Sequence, residues 1–251
     1  FAKRRIKCGG GAWSLVQATL NAVEAAVEAF PRATHFYMLS GDCMAIKSAE
    51  YAHEFLDRRD VDYIESFDYF KSDWIKTGWK EERLIYRHLF NERRHKWLFY
   101  AALEAQKRLG LRRALPAGIE VMIGSQWWCL TRETLERILE DPRRRQFDRY
   151  FRRVWIPDES YFQTLARQYS TSIESRSLTL SKFDFQGKPH IFYDDHLQLL
   201  RRSDCFVARK IWPRADRLYE AFLTDEAHAM KRTEPNPGKI DRIFSKAVER
   251  R

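Results

Sequence analysis

One carboxylate and the aromatic residues around it are the part of this sequence best suited to chemistry. Glu159 stands in Trp155-Ile-Pro-Asp-Glu-Ser-Tyr-Phe-Gln-Thr164, with Phe162, Leu165, Ala166 and Tyr169 at helical spacing behind it. The pattern predicts a helix over 159–169 with Asp158 as its N-cap and Glu159 in its first turn, where the helix dipole and free N–H groups favour an ionised carboxylate. A positioned, ionised carboxylate serves as a general base toward a hydroxyl. Upstream, Ile123-Gly-Ser-Gln-Trp-Trp-Cys-Leu-Thr131 places Trp127 and Trp128 on a predicted strand, so their rings point to opposite faces and at most one lines a given site. An aromatic face stacks on the apolar face of a pyranose, and a ring beside one acid is the chemistry of a sugar site. The structural alternative is a helix-start acid that only complements the dipole, with both tryptophans in the core.

Basic residues supply the second chemistry. Lys80-Glu-Glu-Arg83 opens a predicted helix and sets Lys80 and Arg83 three apart on one face, where both could donate to a sugar acceptor or to phosphate oxygens. Lys188, Arg209 and Lys210 flank a predicted strand at 205–209 and could neutralise a diphosphate. A solvated surface is the alternative in both places. Lys+Arg 45 against Asp+Glu 35 leaves a net charge of +10, which favours an anionic partner: a nucleotide diphosphate, a membrane surface or nucleic acid. No nucleic-acid-binding motif occurs.

Other chemistries lack their residues. Asp60-Val-Asp62 matches the Asp-x-Asp by which nucleotide-sugar enzymes hold manganese, but it precedes a strand and reads as a turn; Asp194-Asp195-His196 falls where a helix cap is expected. No metal site is assigned. Gly9-Gly-Gly11 is neither a Walker loop nor a dinucleotide fingerprint and reads as a flexible lead-in to the first helix. No Gly-x-Ser-x-Gly elbow is present, and the four cysteines, Cys8, Cys43, Cys129 and Cys205, are too dispersed for a zinc knuckle or a disulfide framework.

The elements that must position these residues alternate. Helices are expected over 14–30 with Ser14 as cap, 48–58, 80–91, 95–109, 131–140, 159–169, 194–202 and 214–223; strands over 35–39, 61–65, 119–123, 126–130, 173–180 and 205–209. Ser40-Gly41-Asp42 follows the first strand, at the carboxyl end where open α/β sheets place ligands. The order predicts an α/β/α sandwich with a mixed, mostly parallel sheet. One domain is expected over 1–225, followed by a charged extension over 226–251 read as a turn, Glu234-Pro-Asn-Pro-Gly238, and a loosely attached helix. No apolar run reaches the roughly 18–20 residues of a membrane-spanning helix, so a soluble chain is expected.

Five segments in order carry a resemblance over roughly residues 5 to 212: Phe36-Tyr-Met-Leu-Ser-Gly-Asp-Cys-Met-Ala-Ile-Lys47, Lys80-Glu-Glu-Arg83, Gly124-Ser-Gln-Trp-Trp-Cys-Leu-Thr-Arg-Glu133, Pro157-Asp-Glu159 and Phe206-Val-Ala-Arg-Lys-Ile211. Together they resemble the core-2/I-branching β-1,6-N-acetylglucosaminyltransferases, a family that includes peptide O-xylosyltransferases, and its bacterial branch most closely. The resemblance implies a GT-A-like fold and an inverting, metal-independent transfer from a UDP-sugar, usually UDP-N-acetylglucosamine, to a glycan hydroxyl, with no cofactor. It implies Glu159 as catalytic base, Lys210 with Lys188 and Arg209 at the diphosphate, and Lys80, Arg83, Asp73 and one of Trp127 and Trp128 at the acceptor. Ser40, Gly41, Asp42 and Asp158 would line the site. It further implies a cytoplasmic protein at the inner membrane surface in a bacterium, with room for peripheral membrane association, or a Golgi-lumen one in a eukaryote. Relatives carry strands ahead of Trp13-Ser14, including a uridine-holding segment, which this sequence does not show; either it is a fragment or the nucleotide half-site is absent. Xylosyl transfer and a catalytically silent carbohydrate-binding module are the alternatives.

Overall fold

A computed structural model describes residues 3–76, 78–184 and 188–223. In chain order its elements are α1 (Trp13–Ala29), β1 (His35–Tyr37), β2 (Met44–Ala45), α2 (Ala49–Asp57), β3 (Asp62–Tyr63), β4 (Phe67–Asp68), α3 (Glu82–Ile85), α4 (Lys96–Arg108), β5 (Met122–Ile123), β6 (Cys129–Thr131), α5 (Arg132–Glu140), α6 (Arg144–Phe151), α7 (Tyr161–Tyr169), β7 (Ile173–Glu174), β8 (Thr179–Leu180), α8 (Leu197–Arg201), β9 (Val207–Ala208) and α9 (Asp216–Leu223). One-turn 3-10 helices occupy Pro157–Glu159 and Asp194–His196. The expected turn and helix over 226–251 lie outside the described residues.

The chain divides into two compact units. Of the described residues, the first comprises those within 3–38 and 61–176 and the second those within 39–60 and 177–223. In the first, a four-stranded sheet runs β1-β6-β3-β7 and a separate pair joins β4 to β5. Its core packs Leu20 of α1, Ile64, Trp128, Leu130, Leu135 of α5, Phe151 of α6 and Tyr161 and Leu165 of α7. Burying each such side chain contributes about 1.5–3 kcal/mol. The second unit has a three-stranded sheet, β2-β9-β8, over a smaller core of Met44, Leu180, Phe192, Leu200, Ala208 and Leu218.

The expected mixed α/β architecture is present. Its balance differs: β1·β6, β3·β6, β2·β9 and β4·β5 are antiparallel and only β3·β7 and β8·β9 are parallel, so the described sheets are not mostly parallel. β6 accounts for two of the four antiparallel pairs, since it runs against both of its neighbours in the larger sheet. The strand expected over 173–180 is two strands in two sheets, separated at Ser175-Arg176-Ser177, where the Arg176 N–H turns back to the Glu174 carbonyl at 2.7 Å.

Side-chain caps fix two of the helix starts. Ser48 accepts from the Tyr51 N–H and Thr131 from the Thr134 N–H, fixing α2 and α5. α1 departs from expectation: Ala12 is its N-cap, and Ser14 Oγ instead accepts from the Gly9 N–H at 2.9 Å. The glycine run is therefore anchored rather than flexible, since Asn91 Nδ2 also donates to the Gly10 carbonyl and the Ile156 N–H to that of Gly11. Asp62 is committed as well: buried in β3, it accepts from the Thr131 N–H at 2.6 Å and the Thr134 hydroxyl at 2.5 Å, so it holds the start of α5.

Candidate active site

Pro157-Asp158-Glu159 does not begin α7 as expected. It forms its own 3-10 turn, entered through Ile156 at φ 56°, and α7 starts at Tyr161 after Ser160. Proline fixes the first residue of that turn, and the Ser160 N–H closes it on the Pro157 carbonyl, so Asp158 is not the N-cap of α7. A β-branched residue in the left-handed region is strained and persists only where its surroundings over-determine it. Here the Ile156 N–H is held by Gly11 and the Trp155 N–H by the Arg83 carbonyl.

Two further devices clamp the turn. Gln163, wholly buried in α7, donates through Nε2 to the carbonyls of Ser125 at 2.7 Å, Asp158 at 3.3 Å and Gly124 at 3.4 Å. The Gly124 N–H in turn donates to the Glu159 carbonyl at 2.9 Å. The Gly124-Ser-Gln-Trp motif is thus the backbone partner of the Pro-Asp-Glu motif. Only glycine fits there, because a Cβ would fall 1.8 Å from the Glu65 carbonyl oxygen.

The Glu159 side chain accepts from Arg83 Nη1 at 3.1 Å, with 33% of the carboxylate side chain exposed and 12% of the arginine. Burial raises the Glu159 carboxyl above its ordinary value; the Arg83 charge and hydrogen bonds from Arg83 and Trp74 oppose this. Arg83 is itself fixed: Nε donates to the Trp79 carbonyl at 3.1 Å and the guanidinium lies 5.0 Å from the centre of the Trp155 ring. Trp79 and Trp155 pack at 5.6 Å, and Trp79 stacks on Phe99 at 6.0 Å. Trp74 hydrogen-bonds to the acid, and Trp155, with Trp79 packed on it, lies under its arginine partner, so the ring wall stands at the Arg83–Glu159 pair.

Trp127 and Trp128 do not form that wall. They precede β6 rather than lying in it, both are buried, and Trp128 packs on Phe162. Lys80 and Arg83 do not share a helix face, because the helix expected over 80–91 is only α3, and Lys80 precedes it. The Lys80 ammonium donates to the carbonyls of Ser72 at 2.7 Å and Phe70 at 3.0 Å, closing the loop that carries Trp74 and the exposed Asp73.

Asp158 is the second acid of the turn. Burial first, then the charge of Glu159, lift its carboxyl to about 6, and its Oδ1 is buried without a hydrogen-bond partner. A carboxyl whose folded value lies above its unfolded one stabilises the fold below about pH 4 and loses that contribution as pH rises through about 6. Asp158→Asn removes the penalty of ionisation. Thermal melts should show the variant matching wild type at pH 3 and exceeding it by about 1–3 kcal/mol at pH 8; equal stability at both pH values would contradict the burial of this acid.

In the second unit, Ser40, Gly41 and Asp42 form a turn closed by the Cys43 N–H on the Ser40 carbonyl at 3.0 Å. Lys210 Nζ lies 3.0 Å from Asp42 Oδ2. The Arg209 guanidinium is buried near Asp42 and Cys43, and burial lowers its pKa. Lys188 is exposed in the segment whose His190 carbonyl accepts from the Lys210 N–H at 3.4 Å. The structure therefore gathers Asp42, Arg209 and Lys210, with Lys188 in the adjoining segment. Among the described residues no cluster of three or more His, Cys, Asp or Glu suited to a metal occurs, and no helix is long and apolar enough to cross a membrane.

A mixed α/β fold with both parallel and antiparallel strand pairs is consistent with a GT-A-like α/β/α sandwich. The family model described as Core-2/I-Branching enzyme matches residues 3–200, and the chain belongs to that family of glycosyltransferases. A second model, a family of unknown function named DUF5927, matches residues 209–251. No curated protein matches the chain.

Proposed function

We propose that this chain transfers a sugar, N-acetylglucosamine before xylose, from a UDP-sugar to a glycan hydroxyl with inversion and without a metal. The observation that carries the proposal is the Glu159 carboxylate, partly open to solvent yet held by Arg83 and Trp74 on a turn that Gly124 and Gln163 clamp. Glu159 takes the proton of the acceptor hydroxyl as that oxygen forms its bond to C1 of the donor. The bond from C1 to the diphosphate oxygen breaks, its electron pair leaves with UDP, and an α-linked donor gives a β-linked product.

Charge on the leaving diphosphate needs a partner. Lys210, Arg209 and Lys188 are proposed for this role, and Arg83 and Asp73 for the acceptor hydroxyls. Metal independence is supported by Asp62, which spends both carboxylate oxygens on the start of α5. A screen of UDP-sugars with mixed glycan acceptors in excess EDTA tests the reading. One UDP-sugar should be consumed at an undiminished rate; no consumption of any, or strict dependence on added manganese, would overturn it.

A further inference from the structure

Phe67 is an open aromatic ring with two separate ties to Glu159. It lies in β4 and is 37% exposed, although Ser66 before it and Tyr69 after it are buried. The first tie is backbone. In the antiparallel β4·β5 pair Phe67 stands opposite Ile123, so the two side chains share a face. The next residue, Gly124, donates its N–H to the Glu159 carbonyl at 2.9 Å. Ser66 Oγ donates at 2.9 Å to the carbonyl of Gln163, whose side chain clamps the same turn. The second tie is Trp74. Its ring centroid lies 6.1 Å from that of Phe67 with the planes inclined by 31°, and its side chain donates to the Glu159 carboxylate.

The loop that joins the two rings is braced. Asp68 Oδ1 accepts from the Phe70 and Lys71 N–H groups, each at 2.9 Å, and the Lys80 ammonium bonds the Phe70 and Ser72 carbonyls. Rings held in this way lose little freedom when a ligand stacks on them. Phe70, exposed as well, packs on Tyr69 at 5.5 Å, whereas Phe67 is joined through Trp74 to the base. That junction selects the occupant. The family acts on glycan acceptors, and the sugar whose hydroxyl reaches Glu159 must lie beside the rings that lead away from the carboxylate, Trp74 first and Phe67 beyond it. A pyranose presents an apolar C–H face that stacks on such a ring.

We infer that Phe67 is a specificity-determining residue of the acceptor site: its ring carries the apolar face of the acceptor pyranose, while Trp74 positions Glu159 for the reacting hydroxyl. Phe67 binds by stacking and takes no part in the chemistry. Trp74 acts through the carboxylate that it bonds. The inference rests on the reading of Glu159 as the base of a glycosyl transfer, and its test reads binding apart from transfer.

The test is saturation-transfer NMR of the 251-residue chain with the methyl glycosides of galactose, glucose, mannose, N-acetylglucosamine and N-acetylgalactosamine, in the presence of UDP. At least one should bind, with saturation strongest on the C–H protons of one ring face, and Phe67→Ala should weaken it about tenfold, the loss expected for one stacked ring. Phe67→Tyr and Phe67→Trp keep a ring and should retain binding, which answers for an alanine variant that folds poorly. In transfer assays Phe67→Ala should raise KM for the acceptor and leave KM for the UDP-sugar. Trp74→Phe keeps a ring but loses the N–H that favours the ionised Glu159, so kcat should fall and the acid limb of the pH profile should move to higher pH. Failure of all five glycosides to bind wild type, or equal binding by Phe67→Ala, would overturn the inference. Ring-dependent binding by a chain that consumes no UDP-sugar would uphold the stacking site while refuting the transfer reading; transfer with an acceptor KM indifferent to Phe67 would do the reverse.

Discussion

Glu159→Gln is expected to reduce glycosyl transfer by about 10²–10⁴-fold while leaving UDP binding nearly unchanged, the range that removal of a general base costs. The substitution keeps the size of the side chain and its hydrogen bonds in part, but an amide cannot take the hydroxyl proton. Steady-state rates with a saturating acceptor, beside calorimetric titration with UDP, separate the two effects. Because burial holds the Glu159 carboxyl above its ordinary value, wild-type rates should fall on the acid side earlier than an exposed glutamate would allow. Retained turnover in the variant would remove Glu159 from the chemistry.

Gly124→Ala should be among the most damaging single changes to the fold. Its Cβ would lie 1.8 Å from the Glu65 carbonyl oxygen and 2.9 Å from the Glu65 Cβ, neither of which is the end of a flexible side chain. One of the two segments must move, and with it the hydrogen bond from the Gly124 N–H to the Glu159 carbonyl. A loss of about 3 kcal/mol or more is expected, the upper range for overpacking. Urea unfolding measures it. Any folded remainder should be impaired in transfer, since the displaced backbone carries the base. Wild-type stability and activity in this variant would show that the two motifs are not coupled through Gly124.

The sequence was most legible where local patterns coincide with burial. The apolar spacing behind Trp13 and behind Tyr161 gives α1 and α7, and Thr131 and Ser48 mark helix starts because their side chains cap locally. α6 went unforeseen because Arg143-Arg144-Arg145 masks the pair Phe147 and Phe151, whose burial is what places it. The run at 173–180 could not be divided from sequence, since partners in different sheets decide it.

At the site, motif order pointed to Arg83 and Glu159, and the fold brings their side chains to 3.1 Å. The rings beside Arg83 are not the expected pair. Trp127 and Trp128 drew attention as a pair, yet alternation said only that one could face outward, and both are buried. Trp79 and Trp155 stand beside the two motifs in sequence, one residue before Lys80 and four before Glu159. That adjacency was the available signal. Their contact with each other joins distant parts of the chain, and no spacing rule reports it.

Glu159 acting as a base in a single displacement goes beyond what family membership alone implies. The direct measurement is the anomeric configuration of the transfer product by NMR, starting from an α-linked UDP-sugar in EDTA. A β-linked product formed by wild type and lost in Glu159→Gln is the predicted result. An α-linked product, or a β-linked one formed equally well by the variant, would contradict it.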